Sequence, residues 1–199
     1  TGDCFMQAPF WKLSGKEREK RKKDLIKIIE ACSKIGVRLI VIPLVDEGSI
    51  ENNDQAKSLL DFLNSIEDKL NSLGIQIVFE SDFAPRSLKT FIKQFKQGVF
   101  GINYDIGNSA SLGFDVKEEY EAYGDSILNV HVKDRVLYGT TVPLGEGNAD
   151  FKEVFKQLSL VGYEGNYILQ TARAINGDHS GILSSYKIQV EKWIMENGS

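Results

Sequence analysis

A parallel α/β barrel is the fold this sequence predicts, and three observations predict it. Short β-branched runs alternate with amphipathic helical stripes along the chain, the cadence of parallel strands joined by helical crossovers. Several of those runs are almost wholly apolar, as strands covered on both faces are. Strand after strand then ends in polar side chains, the pattern of a (β/α)8 barrel that builds its site at the C-terminal face. The competing doubly wound sheet should carry a glycine-rich turn after its first strand. The only such turn, Gly145-Glu146-Gly147, lies late in the chain and presents a carboxylate where a phosphate would sit. Five strands are countable in the 199 residues, whereas a full barrel needs eight in about 250. The expectation is therefore one domain over residues 1–199 covering about the last five βα units, with the N-terminal strands missing.

The first ten residues read as a loop whose Pro9-Phe10 end ought to pack on something. Ser14-Gly15-Lys16-Glu17 is a capping-box pattern, and Leu25, Ile28, Ile29 and Cys32 follow at helical spacing up to Gly36. Residues 37–45 form the first strand. Ala56, Leu59, Leu60, Leu63, Ile66 and Leu70 make the second helical stripe, Gly74 stops it, and residues 75–82 form a strand running into acidic residues. Pro85 opens the third helix, Gly98 stops it, and a strand runs over 99–105. A helix over about 116–123 leads to Ile127-Leu128-Asn129-Val130-His131-Val132-Lys133-Asp134, where alternation places Asn129, His131 and Lys133 on one face. Asp150 and Glu153 form a second capping box, and a strand over 167–170 follows. A helix over about 182–195 closes the chain.

The composition is that of an ordinary globular domain, 42% hydrophobic and 26% charged. A formal net charge of −4 argues against affinity for a nucleic-acid backbone. No apolar run reaches the ~20 residues of a membrane span, and no signal peptide opens the sequence. Two cysteines, Cys4 and Cys32, imply no disulfide framework, so the expected compartment is reducing and cytoplasmic.

The strand ends offer Glu80, Asp105, His131 and Gln170 in order. Singly, each has a structural role to fill: a loop surface, a turn cap, a satisfied core histidine, a backbone partner. Jointly, two carboxylates, an imidazole and an amide oxygen suit a divalent ion, with Mn, Zn, Co and Mg all compatible with the ligand types.

These motifs resemble the xylose isomerase-like TIM barrels, a superfamily of sugar and sugar-phosphate isomerases and epimerases that also holds inosose dehydratases and endonuclease IV. The resemblance rests on Val78-Phe79-Glu80, Tyr104-Asp105-Ile106-Gly107-Asn108, Val130-His131-Val132-Lys133-Asp134, Val142 through Gly147 with Asp150-Phe151, and Gly162-Tyr163-Glu164-Gly165 leading to Gln170. It implies a metal held by Glu80, Asp105, His131 and Gln170, and a glutamate pair that moves a proton between adjacent carbons of a keto sugar. Two departures bear on that. Gln170 stands where the second glutamate would be, and Asn108 replaces a histidine that often follows the Asp-x-Gly turn.

An amide ligates through oxygen but cannot act as a base. Glu80 is thus the leading base, with Gln170 and His179 as the other candidate catalytic positions, and Asp178 as the alternative to His179 in the same loop, Asn176–Ser180. Asn108, Lys133, Glu146 and Arg173 are candidates for substrate oxygens or a phosphate, and Lys133 and Arg173 each have an alternative as an ion-pair partner of Asp134 or Glu146. The expected activity is a divalent-metal-dependent isomerase or epimerase of a keto sugar or sugar phosphate, working through an enediolate. The alternative is a catalytically impaired barrel that binds a sugar-like ligand. A metal-rich endonuclease is disfavoured by a content of two histidines. The expected partner is a small molecule, not nucleic acid or membrane, and an open barrel edge would call for a homo-oligomer to cover it.

Overall fold

The structure, a computed structural model, describes residues 3–197. Its elements run α1 (Asp3–Gln7), α2 (Gly15–Lys34), β1 (Leu39–Leu44), α3 (Asn53–Ser65), α4 (Glu67–Leu73), β2 (Gln76–Ser81), α5 (Pro85–Ile92), β3 (Phe100–Asp105), α6 (Ile106–Leu112), α7 (Val116–Tyr123), β4 (Ile127–Val132), β5 (Asp134–Arg135), β6 (Thr141–Val142), α8 (Phe151–Leu160), β7 (Tyr167–Leu169) and α9 (His179–Asn197). The five longer strands are parallel neighbours in the order β1, β2, β3, β4, β7, and β5 and β6 form a separate antiparallel hairpin. Among the described residues, no helix is long and apolar enough to cross a membrane.

The chain divides into two compact units, with the division passing through α5 and β3. The first comprises residues 1–82 and 90–102. Here β1 pairs with β2 from Leu39↔Gln76 to Leu44↔Ser81, and β2 with β3 from Ile77↔Phe100 to Phe79↔Ile102. Four aromatic rings fill its core: Phe79 lies 5.4 Å from Phe91 and 5.1 Å from Phe95, and Phe95 lies 4.8 Å from Phe100. The Pro-aromatic segment does pack: Phe10 and Trp11 are buried, Phe10 stands edge-on to Phe62 at 5.0 Å, and Trp11 Nε1 donates to Gly48 O at 3.1 Å. Burial of rings of this size is worth about 1.5–3 kcal/mol each.

The second unit comprises residues 83–89 and 103–199. Its register, Val130↔Tyr167, His131↔Ile168 and Val132↔Leu169, aligns the ends of β4 and β7. Val154, Phe155 and Leu158 of α8 are buried, as are Tyr186 and Val190 of α9. Trp193 stacks on Phe151 with centroids 4.4 Å apart.

Several elements differ from the sequence expectation. Residues 3–7 are helical, with Phe5 buried, where a loop was expected; Thr1 and Gly2 lie outside the described residues. Ser14 makes no side-chain cap bond to α2, whereas Asp150 does cap α8, accepting from Glu153 N at 3.0 Å. The second helical stripe is broken at Ile66 into α3 and α4. Beside the break, Ser65 Oγ donates to Phe62 O at 2.6 Å, the local bonding by which serine competes with helix. The last helix starts three residues early, at His179, because Asp178 Oδ1 accepts from Gly181 N at 2.9 Å. His179 is consequently the first residue of a helix and not a loop residue.

Candidate metal centre at the strand ends

The second unit brings Asp105 and His131 together. Both are buried at the C-terminal ends of β3 and β4, with His131 Nδ1 3.7 Å from Asp105 Oδ2. Asp105 also starts α6: its Oδ1 accepts from Asn108 N at 2.8 Å, an N-cap that fixes the carboxylate's orientation. Its Oδ2 is buried and makes no hydrogen bond among the described residues, yet stands 2.8 Å from Lys133 Nζ in an ion pair.

Behind His131 lies a chain of two buried amides. Asn129 Nδ2 donates to Asn103 Oδ1 at 2.6 Å, and Asn103 Nδ2 is 3.1 Å from His131 Nδ1. The donor and acceptor in that contact depend on the imidazole tautomer, and the buried amides hold the ring in place, as partners behind a ligating histidine do. The sequence did expose Asn129. Asn103 was missed, although alternation along β3 puts it on the same face as Asp105.

Lys133 follows β4 and Gln170 follows β7. The amide oxygen of Gln170 accepts from Lys133 Nζ at 2.9 Å, while its backbone N–H donates to Val132 O at 3.0 Å. Lys133 therefore pairs with Asp105 and Gln170, and not with Asp134 or Glu146. Asp134 points elsewhere and is fully buried: Oδ2 accepts from Gly145 N at 2.8 Å and Gly147 N at 2.9 Å, and Oδ1 from Ala149 N at 3.2 Å. A Cβ at Gly147 would stand 2.2 Å from Asp134 Oδ1, so that turn needs glycine to wrap this carboxylate.

Asn108 Oδ1 accepts from Arg135 Nη1 at 2.9 Å. Arg173, Glu146 and Asp178 line a separate hollow of about 640 Å³ beside Tyr186 and Ile182. Arg173 and Glu146 are exposed, as is His179, whose Nδ1 accepts from Ala174 N at 3.2 Å. In the first unit, Glu80 is a buried carboxylate at the end of β2, opposite Pro43 of β1.

Buried carboxylate and imidazole donors at the ends of parallel strands define a strand-end site of the α/β barrel class. The chain belongs to the xylose isomerase-like TIM barrel family, whose sequence profile matches residues 2–185. It is 28% identical over 151 residues to L-ribulose-5-phosphate 3-epimerase UlaE of Escherichia coli O1:K1 / APEC, covering 72% of this chain and 53% of that protein. The chain thus spans about half the length of this curated relative. Among solved structures, an L-ribulose 3-epimerase superposes with TM-score 0.76 at 16% identity, covering 93% of this chain and 71% of the other. The IOLI protein, solved with a zinc atom, gives TM-score 0.72 at 20% identity, with 91% and 70% covered. At these identities the structural likeness is one of fold.

Proposed function

We propose that the chain serves a divalent-metal-dependent isomerase or epimerase that acts on a keto sugar or sugar phosphate through an enediolate. The observation that carries this is the buried Asp105–His131 pair, 3.7 Å apart at neighbouring strand ends. Membership of the family and the likeness to a ribulose-phosphate epimerase support the substrate class. In this reading residues 1–199 act as one domain, and the ligands are Glu80, Asp105, His131 and Gln170.

The donor set fits a divalent ion: oxygen and imidazole ligands of types that hold Mn, Zn, Co or Mg, with a buried Asp105 oxygen that is held by the Lys133 ion pair and by no hydrogen bond from the described residues. When bound, the ion supplies electrophilic polarisation of the substrate's carbonyl oxygen. Glu80 takes the proton from the carbon beside that carbonyl, which leaves the enediolate. Gln170 cannot take or return a proton, so its part is to orient oxygens through its amide. Glu80 then redelivers the proton to the former carbonyl carbon on the same face, while the proton of the neighbouring hydroxyl passes to the former carbonyl oxygen, as an aldose–ketose isomerisation requires. An epimerisation instead needs a second group, and His179, tethered through Nδ1 to Ala174 N, is the candidate. Arg173 is the candidate to receive a phosphate on the substrate.

The test is proton exchange. Ketopentoses and their 5-phosphates are incubated with the metal-loaded protein in D2O, and deuterium at the carbon next to the carbonyl is read by NMR. Exchange is expected in the wild type and should fall by about 10²–10⁴ in Glu80→Gln, the usual worth of a general base. Absence of exchange from every substrate would sink the catalytic assignment. The amide at Gln170 favours a second reading, a sugar-binding protein without turnover; sugar binding without exchange, and exchange gained by Gln170→Glu, would establish it.

A further inference from the structure

Lys133 sits on the atoms that the ion would need. Its Nζ is 2.8 Å from Asp105 Oδ2 and 2.9 Å from Gln170 Oε1. Asp105 Oδ1 is engaged in capping α6, so the lysine holds the carboxylate oxygen that the helix leaves over. The lysine's position is built from both sides. On one side, the register of Val132 with Leu169 brings the next residues of the two strands, Lys133 and Gln170, alongside each other. On the other, Gly107 in the first turn of α6 makes room: a Cβ there would stand 2.7 Å from Lys133 Cγ and 3.0 Å from its Cβ. The side chain is 12% exposed against 2% for Asp105, so the pair is poorly screened by solvent.

We propose that Lys133 is an internal competitor for the divalent ion, holding Asp105 and Gln170 with its ammonium so that loading requires the lysine to withdraw. This rests on the metal assignment above. An ammonium this close to the ligands also opposes a second cation by charge, whether or not it has moved aside. Gln170 completes the device. A carboxylate at that position would hold the ammonium in a charge-assisted bond, roughly twice as strong as one to a neutral amide. The neutral amide leaves Lys133 able to let go. The result is a site that takes its ion weakly and exchanges it readily.

The experiment is calorimetric titration of Mn²⁺ alone into the chelator-stripped full chain, at one pH, for wild type, Lys133→Met and Lys133→Gln. Lys133→Gln keeps a polar end group for Asp105 while removing the charge, and guards against a Lys133→Met that fails to fold. Both variants are expected to bind Mn²⁺ about tenfold or more tightly than wild type. A residue that merely supports the site would weaken binding when removed. Wild-type binding with equal or weaker affinity in the variants overturns the competition and leaves the metal assignment standing. No binding by any of the three chains overturns both.

Discussion

Glu119 is a carboxylate that folding removes from water. It is 1% exposed, and it accepts from Tyr104 Oη at 2.9 Å, Tyr123 Oη at 2.6 Å and Ser109 Oγ. Burial raises its pKa above the ordinary glutamate value, against the lowering effect of the hydroxyls, and its charge in turn helps keep Tyr104 and Tyr123 well above the usual tyrosine range. A raised carboxyl favours the native state fully below the unfolded pKa, and that contribution is lost as pH rises through the folded pKa. Relative to Glu119→Gln, the wild type should therefore lose stability as pH climbs from about 4.3 through the raised value, and run parallel to it above. Urea midpoints of the two proteins across that range check the sign; a difference that grows in favour of the wild type with pH would refute it. At this scale the sequence disclosed which residues end the strands, since Asp105 and His131 need only alternation to be found. It did not disclose their partners. Lys133 turns away from the adjacent Asp134 because three backbone N–H groups claim that carboxylate, a closure made by a loop eleven to fifteen residues downstream.

The elements that support the site show the same division between local and distant causes. Helix α7 and the capped start of α8 lie where the sequence placed them, because Asp115 and Asp150 each cap within three residues. Helix α6 was not anticipated, since its cap is Asp105, a residue that doubles as a candidate ligand. The hairpin β5–β6 was not anticipated either: it is two residues per strand, too short for any periodicity to show. Asp134 joins that hairpin to residues 145–149, so its removal should loosen the whole segment. Asp134→Ala leaves three partly buried N–H groups without their acceptor and is expected to cost about 1–3 kcal/mol by urea denaturation, with Asp134→Asn costing less because one oxygen remains. Amide hydrogen exchange at Gly145, Gly147 and Ala149 should accelerate in the alanine variant. Unchanged exchange there would mean that the loop is held by something other than this carboxylate.

For the molecule as a whole, the ion's affinity and the stability of the fold are one quantity measured in two ways. A ligand that binds the native chain and not the unfolded one stabilises it by RT ln(1 + [L]/Kd), about 2.7 kcal/mol at a hundred times Kd. His131 and Asp105 sit on different strands and are separated by 26 residues of sequence, so unfolding dismantles the pair, and the unfolded chain keeps at most a weak fragment of the site. Thermal unfolding in chelator and then in rising Mn²⁺ should shift the midpoint upward without limit at saturation, growing by a constant step for each tenfold of free metal. Asp105→Asn and His131→Ala should each flatten that slope. If Lys133 competes as inferred, Lys133→Gln reverses the relation: lower midpoint than wild type in chelator, where Asp105 has lost its ion pair, and a larger gain at a given Mn²⁺ concentration. Crossing curves for the two proteins are therefore the expected outcome. Parallel curves would show that the lysine contributes to the fold alone, and a wild-type midpoint indifferent to Mn²⁺ would remove the metal from this chain's chemistry.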